Sequence, residues 1–126
     1  MAQVLVVDDD PLFREIAREV LEAAGHRVET AENGILAMDT PVEPAADLAV
    51  VDMLMPERDG IETIAELKGR WPALKVIAVS AGGRNLEADL LLRAASALGA
   101  DAITAKPLVA DAFLALVDQV LAGETA

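Results

Sequence analysis

Three aspartates in a row, Asp8, Asp9 and Asp10, follow the apolar run Val4-Leu5-Val6-Val7, and Pro11 comes next. Adjacent like charges repel, so either water screens all three or a cation belongs among them. Polar residues close other short apolar runs in the same way. Asp52 follows Leu48-Ala49-Val50-Val51, Ser80-Ala81 follows Val76-Ile77-Ala78-Val79, and Lys106-Pro107 comes just after Asp101-Ala102-Ile103-Thr104. Gathered in one place, three carboxylates, a hydroxyl and an ammonium group would suit two linked chemistries. Hard carboxylate oxygens are what Mg²⁺ takes as ligands, together with water and phosphate. A carboxylate can also attack a phosphoryl group and form an aspartyl-phosphate, whose charge a cation and a lysine would stabilise. Taken singly, each residue has a plainer reading: a solvated turn for Asp8 and Asp9, a loop aspartate for Asp52, a helix cap for Ser80, a surface lysine for Lys106.

What would gather them is the order of elements. Apolar runs without alternation suit strands of a parallel sheet covered on both faces, and weaker runs lie around 26–30 and 101–104. Between them lie stretches of helical period. Pro11 suits a first helical turn, with Asp10 before it as N-cap, and Leu12, Ile16, Val20 and Leu21 are expected to share its buried face. A second helix is expected after Asn33-Gly34, cut short by Pro41 and Pro44. A third is expected from about Ile61 to Lys68, with Ile61, Ile64, Ala65 and Leu67 as its stripe. A fourth would run from about Leu86 to Leu98 and close at Gly99, and a fifth from about Val109 to Leu121 would bury Phe113, Leu114, Val117, Val120 and Leu121. The result is an α/β fold, a five-stranded parallel sheet built as (βα)5 and doubly wound. Ligands of such sheets collect outside the carboxyl ends of the strands, where every residue singled out above falls.

Bulk properties narrow the function. The 126 residues amount to one ordinary domain. Ten basic against 22 acidic residues give a net charge of −12, which repels a phosphate backbone, so direct nucleic-acid binding is not expected. The absence of cysteine removes disulfides and thiolate chemistry. No apolar stretch reaches the roughly 18–20 residues that span a bilayer, and the N-terminus lacks a secretory pattern, so a soluble cytoplasmic protein with no membrane association is expected.

The sequence resembles the receiver domain of two-component response regulators over essentially its whole length. The resemblance rests on Asp8-Asp9, on Val51-Asp52-Met53-Leu54-Met55-Pro56 followed by Asp59-Gly60, on Ser80-Ala81, and on Lys106-Pro107, in order and each at an expected strand end. It implies the flavodoxin-like strand order 2-1-3-4-5. It implies Asp52 as phosphoacceptor, with Asp8, Asp9, Asp52 and the backbone carbonyl of Leu54 around Mg²⁺, and Mn²⁺ as an alternative ion. Ser80 and Ala81 would meet the phosphoryl group with Lys106, and Pro107 would follow a cis peptide bond. Residues 1–122 would form the receiver domain and 123–126 a short polar tail.

Two departures stand out. The switch position that commonly holds an aromatic is Ile103, which has no ring to rotate. Leu54 and Gly82 flank the expected path of attacking water, and an apolar Leu54 would not orient it, so slow phosphoryl loss is expected. The loop Ala81-Gly82-Gly83-Arg84-Asn85 is expected to order when the phosphoryl group arrives. The reading is a stand-alone response regulator, not an enzyme beyond its own phosphorylation and dephosphorylation. Its donor would be a sensor histidine kinase or histidine phosphotransfer protein, and its target protein would bind at the face of the fourth helix, fifth strand and fifth helix. A phosphorelay shuttle, a phosphate sink, an aspartyl-phosphate hydrolase and a receiver that binds partners without phosphorylation are the alternatives.

Overall fold

The continuous Val, Leu and Ile runs become the middle of a sheet because β-branched and aliphatic side chains pack well on a pleated surface buried on both sides. In the computed structural model the described residues are 2–33, 37, 46–53, 60–80 and 86–123, the side chains of 86–89 and 91–92 excepted. The elements run β1 (Gln3–Val7), α1 (Pro11–Ala23), β2 (Arg27–Ala31), β3 (Leu48–Asp52), α2 (Gly60–Arg70), β4 (Lys75–Ser80), α3 (Leu86–Ala97), β5 (Ala102–Ala105) and α4 (Ala110–Leu121). All pairings are parallel, in the order β2-β1-β3-β4-β5. The helix expected after Asn33-Gly34 falls largely outside the described residues.

Alternation along the strands sorts the core into two halves. Val4, Val6, Val28, Leu48, Val50, Ile77 and Val79 face α1 and α4, meeting Phe13, Ala17, Leu21, Phe113 and Val117. Leu5, Val7, Ala49, Val51, Val76 and Ala78 face the other way, towards Ile64 and Leu67 of α2 and Ala95 of α3. The sheet is therefore covered on both sides, as a doubly wound fold requires.

Two helix faces differ from the sequence reading. On α1 the buried residues are Phe13, Ala17 and Leu21, while Leu12 is 65% and Ile16 40% exposed. Leu12-Ile16 and Phe13-Ala17 form adjacent stripes one residue apart, and the small Ala17 lets the helix sit close to the sheet where Ile16 would hold it off. On α2, Thr63 is buried and Ala65 exposed. The ends follow their chemistry more closely. The Asp10 side chain accepts the Leu12 N–H at 3.0 Å, a cap worth about 1 kcal/mol. At the end of α3 Gly99 takes φ +104°, which lets the Ala100 N–H reach the Ala95 carbonyl at 2.9 Å.

The amino-terminal edge of the sheet is tied by side chains. Asp47 accepts the Gln3 N–H at 2.9 Å and Asp101 the Val76 N–H at 2.8 Å. His26 is half-buried, and its Nδ1 accepts the Ala2 N–H at 3.1 Å. Trp71 closes α2 there: its N–H donates to the Leu67 carbonyl at 2.8 Å, and the Arg70 guanidinium lies 4.7 Å from its ring centroid. Trp71 lines a cavity of about 700 Å³ with Ala2, Asp47, Leu74 and Lys75. Among the described residues no helix is long and apolar enough to cross a membrane.

Candidate phosphoacceptor and cation site

The opposite edge, at the carboxyl ends of the strands, gathers the polar residues. Val7 of β1 pairs in register with both Ala31 and Val51, and Asp52 with Val79, so the turn after β1 lies beside the end of β3. Asp8 is fully buried and its N–H donates to the Ala31 carbonyl at 3.1 Å. Its Oδ1 accepts the Asp10 N–H at 2.8 Å, and its own carbonyl accepts from Arg14 Nη1 at 2.7 Å. Asp9 is exposed, while Asp52, the last residue of β3, is buried. One carboxylate oxygen from each of Asp8, Asp9 and Asp52 lies within 4.8 Å of the others.

Lys106 reaches into this group from beyond β5. Its Nζ lies 2.9 Å from Asp8 Oδ2 and 3.8 Å from Asp52 Oδ2. Its backbone is tied by an N–H donated to the Ser80 carbonyl at 3.0 Å, and the peptide bond to Pro107 is cis. Ser80 is buried at the end of β4. Ile103 is 40% exposed on β5, in register with Ala78, and presents an aliphatic side chain to solvent. Leu54, Ala81 and the glycine loop lie outside the described residues. The structure thus brings Asp8, Asp9, Asp52 and Lys106 together, with Ser80 joined to Lys106 through the backbone.

The donor set fits a hard divalent cation. Three oxygen-bearing carboxylates face one ammonium group, and the excess negative charge in a partly buried place is what Mg²⁺ or Mn²⁺ would offset. The electrostatics agree. Burial pushes the Asp8 carboxyl above its ordinary range, against the pull of Lys106 and the Asp10 N–H, and Asp9 adds to the rise. Burial draws Lys106 down, but the neighbouring Asp8 and Asp52 outweigh it and hold the ammonium above its usual value.

A carboxyl raised by folding binds its proton more tightly in the folded state, so its ionisation weakens the fold as pH rises through that window. In the metal-free protein the cost of Asp8 is therefore present at neutral pH and absent well below pH 4. The expected outcome is that Asp8→Asn melts higher than wild type in EDTA at pH 7, with the gap closing towards pH 4. Thermal melts across that range check it, and a gap that widens on acidification would contradict the assignment.

Two contributors escape a reading by motif, and a third is marked by one. Phe13 and Arg14 stand on the first turn of α1, and their contacts depend on how that helix packs. Gly60 opens α2, its N–H donating to the Met53 carbonyl at 3.2 Å. Its place in the Asp59-Gly60 pair is the motif that marks it, while its approach to β3 shows only in the folded chain.

Comparison with known proteins identifies the family of the chain. Residues 4–118 match the family model of the response regulator receiver domain. The chain is 38% identical over 112 residues to the two-component response regulator ORR41 of Oryza sativa subsp. japonica, covering 86% of this chain and 85% of that one. It is 33% identical over 119 residues to the chemotaxis protein CheY of Halobacterium salinarum, covering 94% and 96%. Among solved structures, the response regulator TrrA of Thermotoga maritima, in complex with Mg²⁺-BeF, superposes with a TM-score of 0.78 at 31% identity, covering 95% of this chain and 99% of that one.

Proposed function

This chain belongs to the response regulator receiver domain family, and we propose that it accepts a phosphoryl group onto Asp52 from the phosphohistidine of a sensor histidine kinase or phosphotransfer protein, with Mg²⁺ required. The observation that carries the proposal is the Lys106 ammonium standing 2.9 Å from Asp8 and 3.8 Å from Asp52, with Asp9 beside them. TrrA's complex with Mg²⁺-BeF adds support from a relative with 31% identity.

In the transfer an Asp52 carboxylate oxygen bonds to phosphorus, the phosphorus–nitrogen bond breaks, and the electron pair leaves with the imidazole, which takes its proton from solvent. A divalent cation held by Asp8, Asp9 and Asp52 would supply positive charge to the phosphoryl oxygens and to the acidic site. The protein's own part is positional. Asp8 is kept buried by its backbone hydrogen bonds, Asp52 ends a rigid central strand, and Lys106 offers a second positive charge to a phosphoryl oxygen. Ser80, at the neighbouring strand end, offers a hydroxyl to another. The product adds roughly 1.5–2 negative charges, and meeting them biases the surface of α3, β5 and α4, where Leu90 and Ile103 stand exposed. Signalling then proceeds by contact with a target protein, and catalysis extends no further than the chain's own phosphorylation and its reversal.

Incubation with acetyl phosphate and Mg²⁺ is expected to add about 80 Da by intact mass, one phosphoryl group. EDTA and Asp52→Asn should each abolish the gain. A gain that persists in Asp52→Asn overturns the site.

A further inference from the structure

The reaction depends on where the Lys106 ammonium sits, and two carboxylates do not define that place by themselves. Lysine ends in a point charge on a flexible four-carbon stem. With Asp8 at 2.9 Å and Asp52 at 3.8 Å, charge attraction alone would draw it onto Asp8 and away from the group that has to react. A third contact lies on another side. Nζ stands over the face of Phe13, 4.6 Å from the ring centroid, where the negative lobe of the aromatic quadrupole attracts a cation.

Phe13 is held firmly enough to act as an anchor. It is 6% exposed and packs with Val6, Ala17 and Phe113 in the half of the core under α1 and α4. The chain contains only two phenylalanines, one tryptophan and no tyrosine, so a ring beneath this ammonium is no by-product of an aromatic-rich core. An aliphatic side chain would fill the same space and leave Nζ without attraction on that side.

We propose that Phe13 is a positioning residue whose ring face holds the Lys106 ammonium between Asp8 and Asp52; the proposal rests on Asp52 being the phosphoacceptor. The contact suits a cation that has to move. As Asp52 bonds to phosphorus and the bond to the leaving acetate breaks, acetate taking the electron pair, the ammonium shifts from Asp8 towards a phosphoryl oxygen. Attraction to a ring face varies gently with sideways displacement, so Nζ slides over Phe13 without first breaking a directional hydrogen bond.

The test compares phosphoryl uptake from acetyl phosphate in Mg²⁺ for wild type, Phe13→Leu, Phe13→Tyr and Val120→Ala. Val120 is buried in the same half of the core but ten residues along α4 from Ala110, about 15 Å, and it controls for lost packing. The expected result is uptake roughly 3- to 10-fold slower in Phe13→Leu, the range for one partly buried cation–π contact, with Phe13→Tyr and Val120→Ala within about twofold of wild type. In the NMR spectrum the Lys106 ε-methylene protons should stand upfield in wild type and Phe13→Tyr, shifted by the ring current, and return downfield in Phe13→Leu. Wild-type uptake with Phe13→Leu equally fast overturns the role of Phe13 alone, as does Phe13→Tyr falling with Phe13→Leu. A wild type that takes up no phosphoryl group overturns the phosphoacceptor reading instead, and the methylene shift then still decides whether the ring contact exists.

Discussion

Lys106→Met is expected to lower the stability of the metal-free protein by about 2–3 kcal/mol at pH 7. The thioether chain keeps most of the stem volume, so the loss is that of the charge. Removing one partner from a buried ion pair costs about 3–5 kcal/mol, because the remaining charge is stranded. Loss of Lys106 strands Asp8, at 0% exposure, and takes a nearby positive charge from Asp52, at 4%. The lysine side chain is itself 22% exposed, and water entering from the side of Asp9 softens the penalty, hence the lower figure. Two further results follow. Acidification protonates the stranded Asp8 carboxyl, whose affinity for its proton burial already raises, so the deficit should shrink towards pH 4. Mg²⁺ should stabilise the variant more than wild type, because a bound cation then replaces the positive charge that Lys106 brings to Asp8 and Asp52. Urea denaturation in EDTA and in Mg²⁺ reads all three, and a variant as stable as wild type in EDTA would mean that the carboxylates are solvated after all.

The second large effect comes from a glycine. A Cβ placed on Gly60 would lie 2.7 Å from the Asp52 carbonyl oxygen, from Met53 Cα and from Met53 Sδ. The sulfur can swing away, but the two backbone atoms cannot, and they belong to Asp52 itself and to Met53 next to it. Overpacking of this kind costs about 1–3 kcal/mol, and the gain of up to about 1 kcal/mol for alanine over glycine within a helix does not offset the upper part of that range. Gly60→Ala is expected to lose about 2 kcal/mol and to slow phosphoryl uptake tenfold or more, since a displacement of 1 Å at a reacting group costs about 100-fold. A variant that melts lower yet takes up phosphoryl at the wild-type rate would show that the strain relaxes away from Asp52.

The strands and the ends of the strands were readable because period and punctuation agree there: unbroken aliphatic runs, each stopped by a charged or small polar residue. Asp10 was readable for the same local reason, since a cap acts within three residues. The inner face of α1 was not. Leu12 and Ile16 are more hydrophobic than Ala17, and only the closeness of helix to sheet decides that the smaller residue goes in. Thr63 and Ala65 on α2 exchange places through the same contest between hydrophobicity and fit. The position of Phe13 under Lys106 joins residues 93 positions apart, and no local pattern announces it. Gly60 lies between these cases: the Asp59-Gly60 pair is visible as a motif, but the reason for glycine is an approach to the backbone of β3 that only the folded chain displays.

Trp71 has a practical side. It is the chain's only tryptophan, and there is no tyrosine, so the protein carries one useful fluorophore. That fluorophore sits beside Lys75, the first residue of β4, while Ser80 at the far end of the same strand marks the reactive edge, five residues or roughly 16 Å away. Intrinsic emission therefore reports unfolding of the amino-terminal edge and stays nearly blind to cations or phosphoryl groups at Asp52. Stability can be followed by fluorescence without interference from site occupancy, whereas occupancy calls for a label of its own, such as the fluorine nuclei of beryllofluoride.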